Sequence, residues 1–82
     1  MPKKIMNLID YISETFSVEK SVINPNTAPG DFPEWDSLGH LNLLTGLEEK
    51  LSISFDMEET MSIESVQDLK NILDSKEVEC SL

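Results

Sequence analysis

The chain has 82 residues, 39% of them hydrophobic and few aromatic, so it makes one small domain with a core built mostly from Leu, Ile, Val and Met. Sixteen carboxylates against six lysines, with no arginine, give a formal net charge of −10. That balance excludes nucleic-acid phosphates and anionic membranes as natural partners and favours basic protein surfaces.

Ile5, Leu8, Ile9, Ile12 and Phe16 recur at spacings of 3, 1, 3 and 4, which predicts a first amphipathic helix with Pro2 in its first turn. Asn7, Asp10 and Ser13 interrupt any apolar run after Lys3 and Lys4. Neither a signal peptide nor a membrane span is expected, and the chain reads as cytoplasmic. From Ser17 to Trp35 the composition turns to loop chemistry, with Pro25, Pro29, Gly30 and Pro33 among Asn24, Asn26 and Asp31. Val18, Val22, Ile23, Phe32 and Trp35 supply apolar anchors, so this long loop is expected to pack down.

The second helix is predicted over Ser37 to Leu51, with Asp36 or Ser37 suited to cap it. At about 100° per residue, Leu41, Leu43, Leu44, Leu47 and Leu51 fall in a broad arc toward the core, with Leu38, Asn42, Thr45, Gly46 and Glu49 opposite. Gly39 and Gly46 each weaken a helix by about 1 kcal/mol relative to Ala, which suits close approach of another group. Ile53 and Phe55 anchor a connector, and Asp56 to Met61 forms a single helical turn that needs tertiary support. The last helix starts near Ser65, with Asp68 completing an approximate capping box and Val66, Leu69, Ile72 and Leu73 facing inward. No strand pattern competes. The expectation is an all-α fold in a single domain of residues 1–75, followed by a flexible acidic tail at 76–82 in which Cys80, the only cysteine, is a spectator thiol.

No catalytic constellation is legible. His40 is the only histidine, and its place in the apolar arc near Leu43 and Leu47 predicts a partly buried structural residue with no third group to orient it. Cys/His clusters for zinc and alternating oxygen ligands for calcium are both missing from the sequence, so no metal is expected. What stands out is Ser37, a serine at a helix start. An anion attached there would meet unpaired backbone N–H groups and the positive end of the helix dipole.

From Phe32 through Leu73 the chain resembles the acyl carrier proteins, small acidic helical shuttles of fatty-acid, polyketide and related pathways. The resemblance rests on Asp36-Ser37-Leu38 at a helix head, followed by Leu41, Leu44, Leu47, Glu48 and Glu49. Phe55-Asp56-Met57-Glu58-Glu59 and Ile63-Glu64-Ser65-Val66 then fall where the family places its short third helix and the start of its fourth. It implies a four-helix bundle of three main helices and one short one, with a long first loop. It also implies a carrier rather than an enzyme, here a free-standing one and a monomer. Ser37 would bear 4′-phosphopantetheine, transferred from coenzyme A by a phosphopantetheinyl transferase that Asp36 helps to position. The arm's thiol would hold acyl groups as thioesters for acyl-activating, ketosynthase or acyltransferase-type enzymes.

By the same resemblance, basic patches on those partners dock on Leu38, Leu41, Asn42, Thr45, Glu48 and Glu49 of the second helix, with Glu58 and Glu59 on the third. Gly39, Asn42 and Thr45 depart from the usual fatty-acid pattern of acid, glutamate and larger apolar residue, and so point to a specialised pathway. Glu34-Trp35-Asp36 stands where peptidyl carriers show a glycine pair, which favours acyl over aminoacyl cargo. The alternatives are a peptidyl carrier of a nonribosomal-type pathway and an unmodified acidic helical adaptor.

Overall fold

The structure is a computed structural model that describes residues 4–81. Four helices follow the expected order: α1 (Leu8–Phe16), α2 (Ser37–Leu51), α3 (Met57–Ser62) and α4 (Val66–Ser75). To these the fold adds two short strands, β1 (Lys4–Asn7) and β2 (Val78–Ser81), which pair in parallel in the register Lys4 to Val78 through Asn7 to Ser81.

The strands correct two expectations. The first helix does not extend back toward Pro2, which itself lies outside the described residues. Asn7 ends the extended segment by accepting a hydrogen bond from the Asp10 amide at 2.9 Å, so the helix starts at Leu8 and Ile5 is left exposed in β1. Nor do residues 78–81 belong to a flexible tail. Glu77 adopts a left-handed conformation (φ 65°) that turns the chain out of α4, and the alternation of β2 then buries Val78 and Cys80 beside Met6. A two-stranded sheet is marginal alone, and this one is stabilised by the core packed on its inner face.

Cys80 is therefore a core residue. Burial, reinforced by the nearby Asp74 carboxylate and partly offset by Lys70, pushes its thiol from 9.0 up to about 11. At a fixed pH below both values the folded protein carries about a hundredfold less thiolate than the unfolded chain. Ellman's reagent is thus expected to label Cys80 slowly in the native protein and rapidly in urea. Equal rates in the two conditions would show β2 to be unseated.

The core joins Leu8, Ile12 and Phe16 of α1 to Leu43, Leu44, Leu47 and Leu51 of α2 and to Val66, Leu69 and Leu73 of α4. Leu41 does not join them. It lies about 120° around the helix from Leu47, beyond the buried arc, and is 54% exposed. Gly46 is not on an open face either: a Cβ there would meet the Tyr11 hydroxyl of α1. The two glycines instead allow close approach, since a Cβ on Gly39 would collide with the Glu34 carbonyl and stand 3.1 Å from the Phe16 ring.

The long loop packs down as expected, except that Val22, one of its expected anchors, is exposed. Ile23 and Trp35 are buried, and Thr27, the one buried polar side chain among the described residues, accepts from the Asn24 amide at 2.9 Å. The Thr27 carbonyl in turn accepts from Val66 at the head of α4. A single 3-10 turn at Lys20–Val22 is the loop's only regular element among the described residues. By contrast, α3 buries none of its side chains.

Candidate functional site at the head of the second helix

Two residues could have capped α2, and the structure separates them. Asp36 is the cap: its extended backbone (φ −94°, ψ −168°) lets Oδ1 accept from the Gly39 amide at 2.7 Å, while its carbonyl accepts from His40. Ser37 is thereby the first helical residue. It is exposed, and its hydroxyl makes no hydrogen bond among the described residues. The backbone amides of Ser37 and Leu38 also find no acceptor there, leaving two donors and the positive end of the dipole beside a free Oγ.

The platform beneath this serine is aromatic. Phe16 from α1, Phe32 from the loop and Trp35 pack with centroid separations of 5.6 to 6.0 Å, and Trp35 is fully buried. Trp35 also stacks on His40 at 6.1 Å and donates from Nε1 to its Nδ1 at 3.0 Å. His40 Nε2 faces the Thr60 carbonyl of α3 at 3.0 Å. His40 is thus the half-buried structural residue its position implied, with both ring nitrogens engaged. A shallow depression of about 350 Å³ beside Ser37 is lined by Pro29, Gly30, Trp35, Asp36, Ser37 and His40.

The flanking residues divide. Leu38 and Leu41 on α2 are exposed, as are Met57 and Met61 on α3, and Asn42, Thr45, Glu49 and Glu58 face solvent beside them. Glu48 and Glu59 turn inward. Glu48 Oε2 accepts from the Phe55 amide at 2.9 Å and so ties the end of α2 to the connector. Glu59 Oε1 accepts from the Asp56 amide, closing a capping box, and from Lys76 Nζ, both at 3.0 Å. The Asp56 amide first, and Lys76 second, hold the Glu59 carboxyl below its ordinary range. Lys76 also lies 5.6 Å over the Phe55 ring.

No cluster of His, Cys, Asp or Glu among the described residues could hold a metal, and no described helix is long and apolar enough to cross a membrane. No protein-family model matches the chain, and no curated protein matches it significantly. Among solved structures, the solution structure of a holo acyl carrier protein from Geobacter metallireducens superposes with a TM-score of 0.75 at 32% identity. The match covers 84% of this chain and 79% of that one. The chain belongs to the acyl carrier protein family. An acyl carrier protein fold is that of a non-catalytic carrier. In this acyl carrier protein the contribution that sequence reasoning missed is the Trp35–His40–Thr60 chain; the one available hint was a lone histidine five residues after the lone tryptophan.

Proposed function

We propose that Ser37 bears a 4′-phosphopantetheine arm and that the protein carries acyl intermediates on it. The observation that carries this reading is the division of labour at the head of α2, where Asp36 satisfies the cap and leaves the Ser37 hydroxyl exposed and unengaged. The local chemistry fits the group: a phosphodiester at Ser37 would face the free amides of Ser37 and Leu38, a setting worth about 0.3–1 kcal/mol to an exposed anion. In the transfer, Ser37 Oγ attacks the pantetheine-bearing phosphorus of coenzyme A and displaces adenosine 3′,5′-bisphosphate, its proton passing to a base on the transferase. Asp36 positions that enzyme while capping the helix. When bound, the arm supplies a terminal thiol that holds an acyl group as a thioester.

Partner enzymes dock, in this reading, on the exposed α2–α3 face, with Leu38, Leu41, Asn42 and Thr45 at its centre and Glu49 and Glu58 offering free carboxylates to basic patches. Glu48 and Glu59 contribute to the same face chiefly by holding the connector and α3 in place. The substitutions at Gly39, Asn42 and Thr45 favour a specialised pathway over housekeeping fatty-acid synthesis. A test of carriage is to treat the chain with coenzyme A, magnesium and a broad-specificity phosphopantetheinyl transferase, then with an acyl-activating ligase and its acid. One hydroxylamine-labile acyl group per chain is expected, and none on Ser37→Ala. If the Ser37→Ala protein keeps its partner binding and biological activity, the chain is an unmodified adaptor instead.

A further inference from the structure

Three hydrogen bonds close over the first turn of α2. Asp36 Oδ1 accepts from the Gly39 amide at 2.7 Å, and the Asp36 carbonyl accepts from the His40 amide at 2.8 Å. Outside both, Trp35 Nε1 donates to His40 Nδ1 at 3.0 Å. Trp35 immediately precedes the capping residue, and His40 is the fourth residue of the helix. Side chains paired at those two places fix the angle at which a chain enters its helix. Such pairs are ordinarily apolar. This one adds a hydrogen bond to a ring stack with centroids 6.1 Å apart.

Both ends of the pair are anchored. The Trp35 amide donates to the Phe32 carbonyl at 3.1 Å and its carbonyl accepts from Gly30 at 2.8 Å, while the indole is fully buried against Phe16 and Phe32. Trp35 Nε1 can only donate, so His40 Nδ1 accepts; the Thr60 carbonyl can only accept, so Nε2 carries the proton and fixes the ring from behind. Ser37 stands between the two halves of the pair. Its hydroxyl and amide make no bond among the described residues, so its place is set by its neighbours.

We propose that His40 is a positioning residue for the modification of Ser37, acting through its bond from Trp35. The assignment rests on Ser37 being the residue that takes the arm. His40 does not touch the reacting atoms: it is half-buried, and both of its ring nitrogens are engaged within the chain. Without the Trp35 bond the Asp36 cap remains and α2 still forms. What is lost is the fixed entry of the loop, and with it the fixed place of the Ser37 hydroxyl. A misplacement of about 1 Å slows a positioned reaction by up to about a hundredfold.

The experiment is steady-state phosphopantetheinyl transfer from coenzyme A to the full chain, over a range of carrier concentrations, with wild type, His40→Leu, His40→Asn and Trp35→Phe. Leucine removes both ring bonds. Asparagine carries its amide oxygen on Cγ, where histidine carries Nδ1, so it accepts from Trp35 without reaching Thr60. Trp35→Phe removes the donor and keeps most of the packing. In His40→Leu and Trp35→Phe kcat is expected to fall about tenfold with KM within about twofold of wild type, and His40→Asn should recover kcat to within about threefold. A merely unfolded fraction acts otherwise: it lowers the concentration of competent carrier and raises apparent KM at unchanged kcat. Amide ¹⁵N relaxation of the unmodified proteins gives a readout that needs no transferase. Order parameters at Ser37 and Leu38 should drop from about 0.85 to about 0.6 in His40→Leu and stay high in His40→Asn, with α4 unchanged in both. Wild-type kcat in His40→Leu, or a loss in His40→Asn as large as in His40→Leu, would overturn the positioning role and leave Ser37 as the attachment point. A wild type that takes no arm would overturn both.

Discussion

Replacing Trp35 with alanine is expected to cost about 3–5 kcal/mol, the range for truncating a buried large aromatic residue. The folded state of an 82-residue domain is worth only about 4–12 kcal/mol in all, so this one change removes much of it. The size of the effect follows from what Trp35 joins. It is fully buried, it packs against Phe16 of α1 and Phe32 of the loop, and its indole N–H meets His40 at the head of α2. Urea unfolding followed by circular dichroism measures the loss, since the variant has no other tryptophan to report by fluorescence. With a slope of about 1.5 kcal/mol/M, the midpoint should fall by about 2 M or more. Trp35→Phe separates the two contributions: it keeps most of the packing and leaves His40 Nδ1 without a donor, a penalty of about 1–3 kcal/mol. A loss below about 1 kcal/mol for Trp35→Ala would mean that the aromatic platform does not hold the loop.

The two glycines of α2 should respond unequally to the same change. Each Gly→Ala gains about 1 kcal/mol in helix propensity. At Gly39 the new methyl meets the Glu34 backbone carbonyl and the Phe16 ring, neither of which can give without moving the loop that presents Asp36 and Ser37. Overpacking of that kind costs about 1–3 kcal/mol, so Gly39→Ala should be destabilised overall by up to about 2 kcal/mol. At Gly46 the obstacle is the far end of the Tyr11 side chain, which can swing aside. Gly46→Ala should therefore fall within about 0.5 kcal/mol of the wild type. Thermal unfolding of the pair in one buffer decides the matter. Equal effects would mean that neither contact constrains the helix.

These glycines also mark how far the sequence could be read. A helix former avoids glycine, so Gly39 and Gly46 announced close contacts; which groups they approach depended on where the loop and α1 fold back. The span of about Ser37 to Leu51 was legible because its cap and its leucine period agree, and the structure ends it at the left-handed Ser52. Asp56 and Ser65 likewise announced the heads of α3 and α4, and each side chain accepts the amide bond expected of a cap. The strands were not legible. Four residues cannot establish a period of two, and the partner of Val78 lies at Lys4, the other end of the chain. Local pattern says nothing about such a pairing, and the same stretch that composition marks as polar buries Val78 and Cys80.

At the candidate site, Asp36-Ser37-Leu38 drew attention to the head of α2, but only geometry separated the cap from the free hydroxyl. The inward turn of Glu48 and Glu59 was invisible in the sequence because each depends on an amide or a lysine brought near by folding. So was the engagement of His40, whose partners lie five residues before it and twenty after.

The central claim is that Ser37, freed from capping by Asp36, is where the arm is attached. Peptide-level mass spectrometry of the chain after reaction with coenzyme A and a phosphopantetheinyl transferase tests it most directly. A single phosphopantetheinyl increment on the peptide containing Ser37, absent from the Ser37→Ala protein, is the predicted result. An unmodified wild type under conditions that convert a known acyl carrier protein, or an increment that survives in Ser37→Ala, would contradict it.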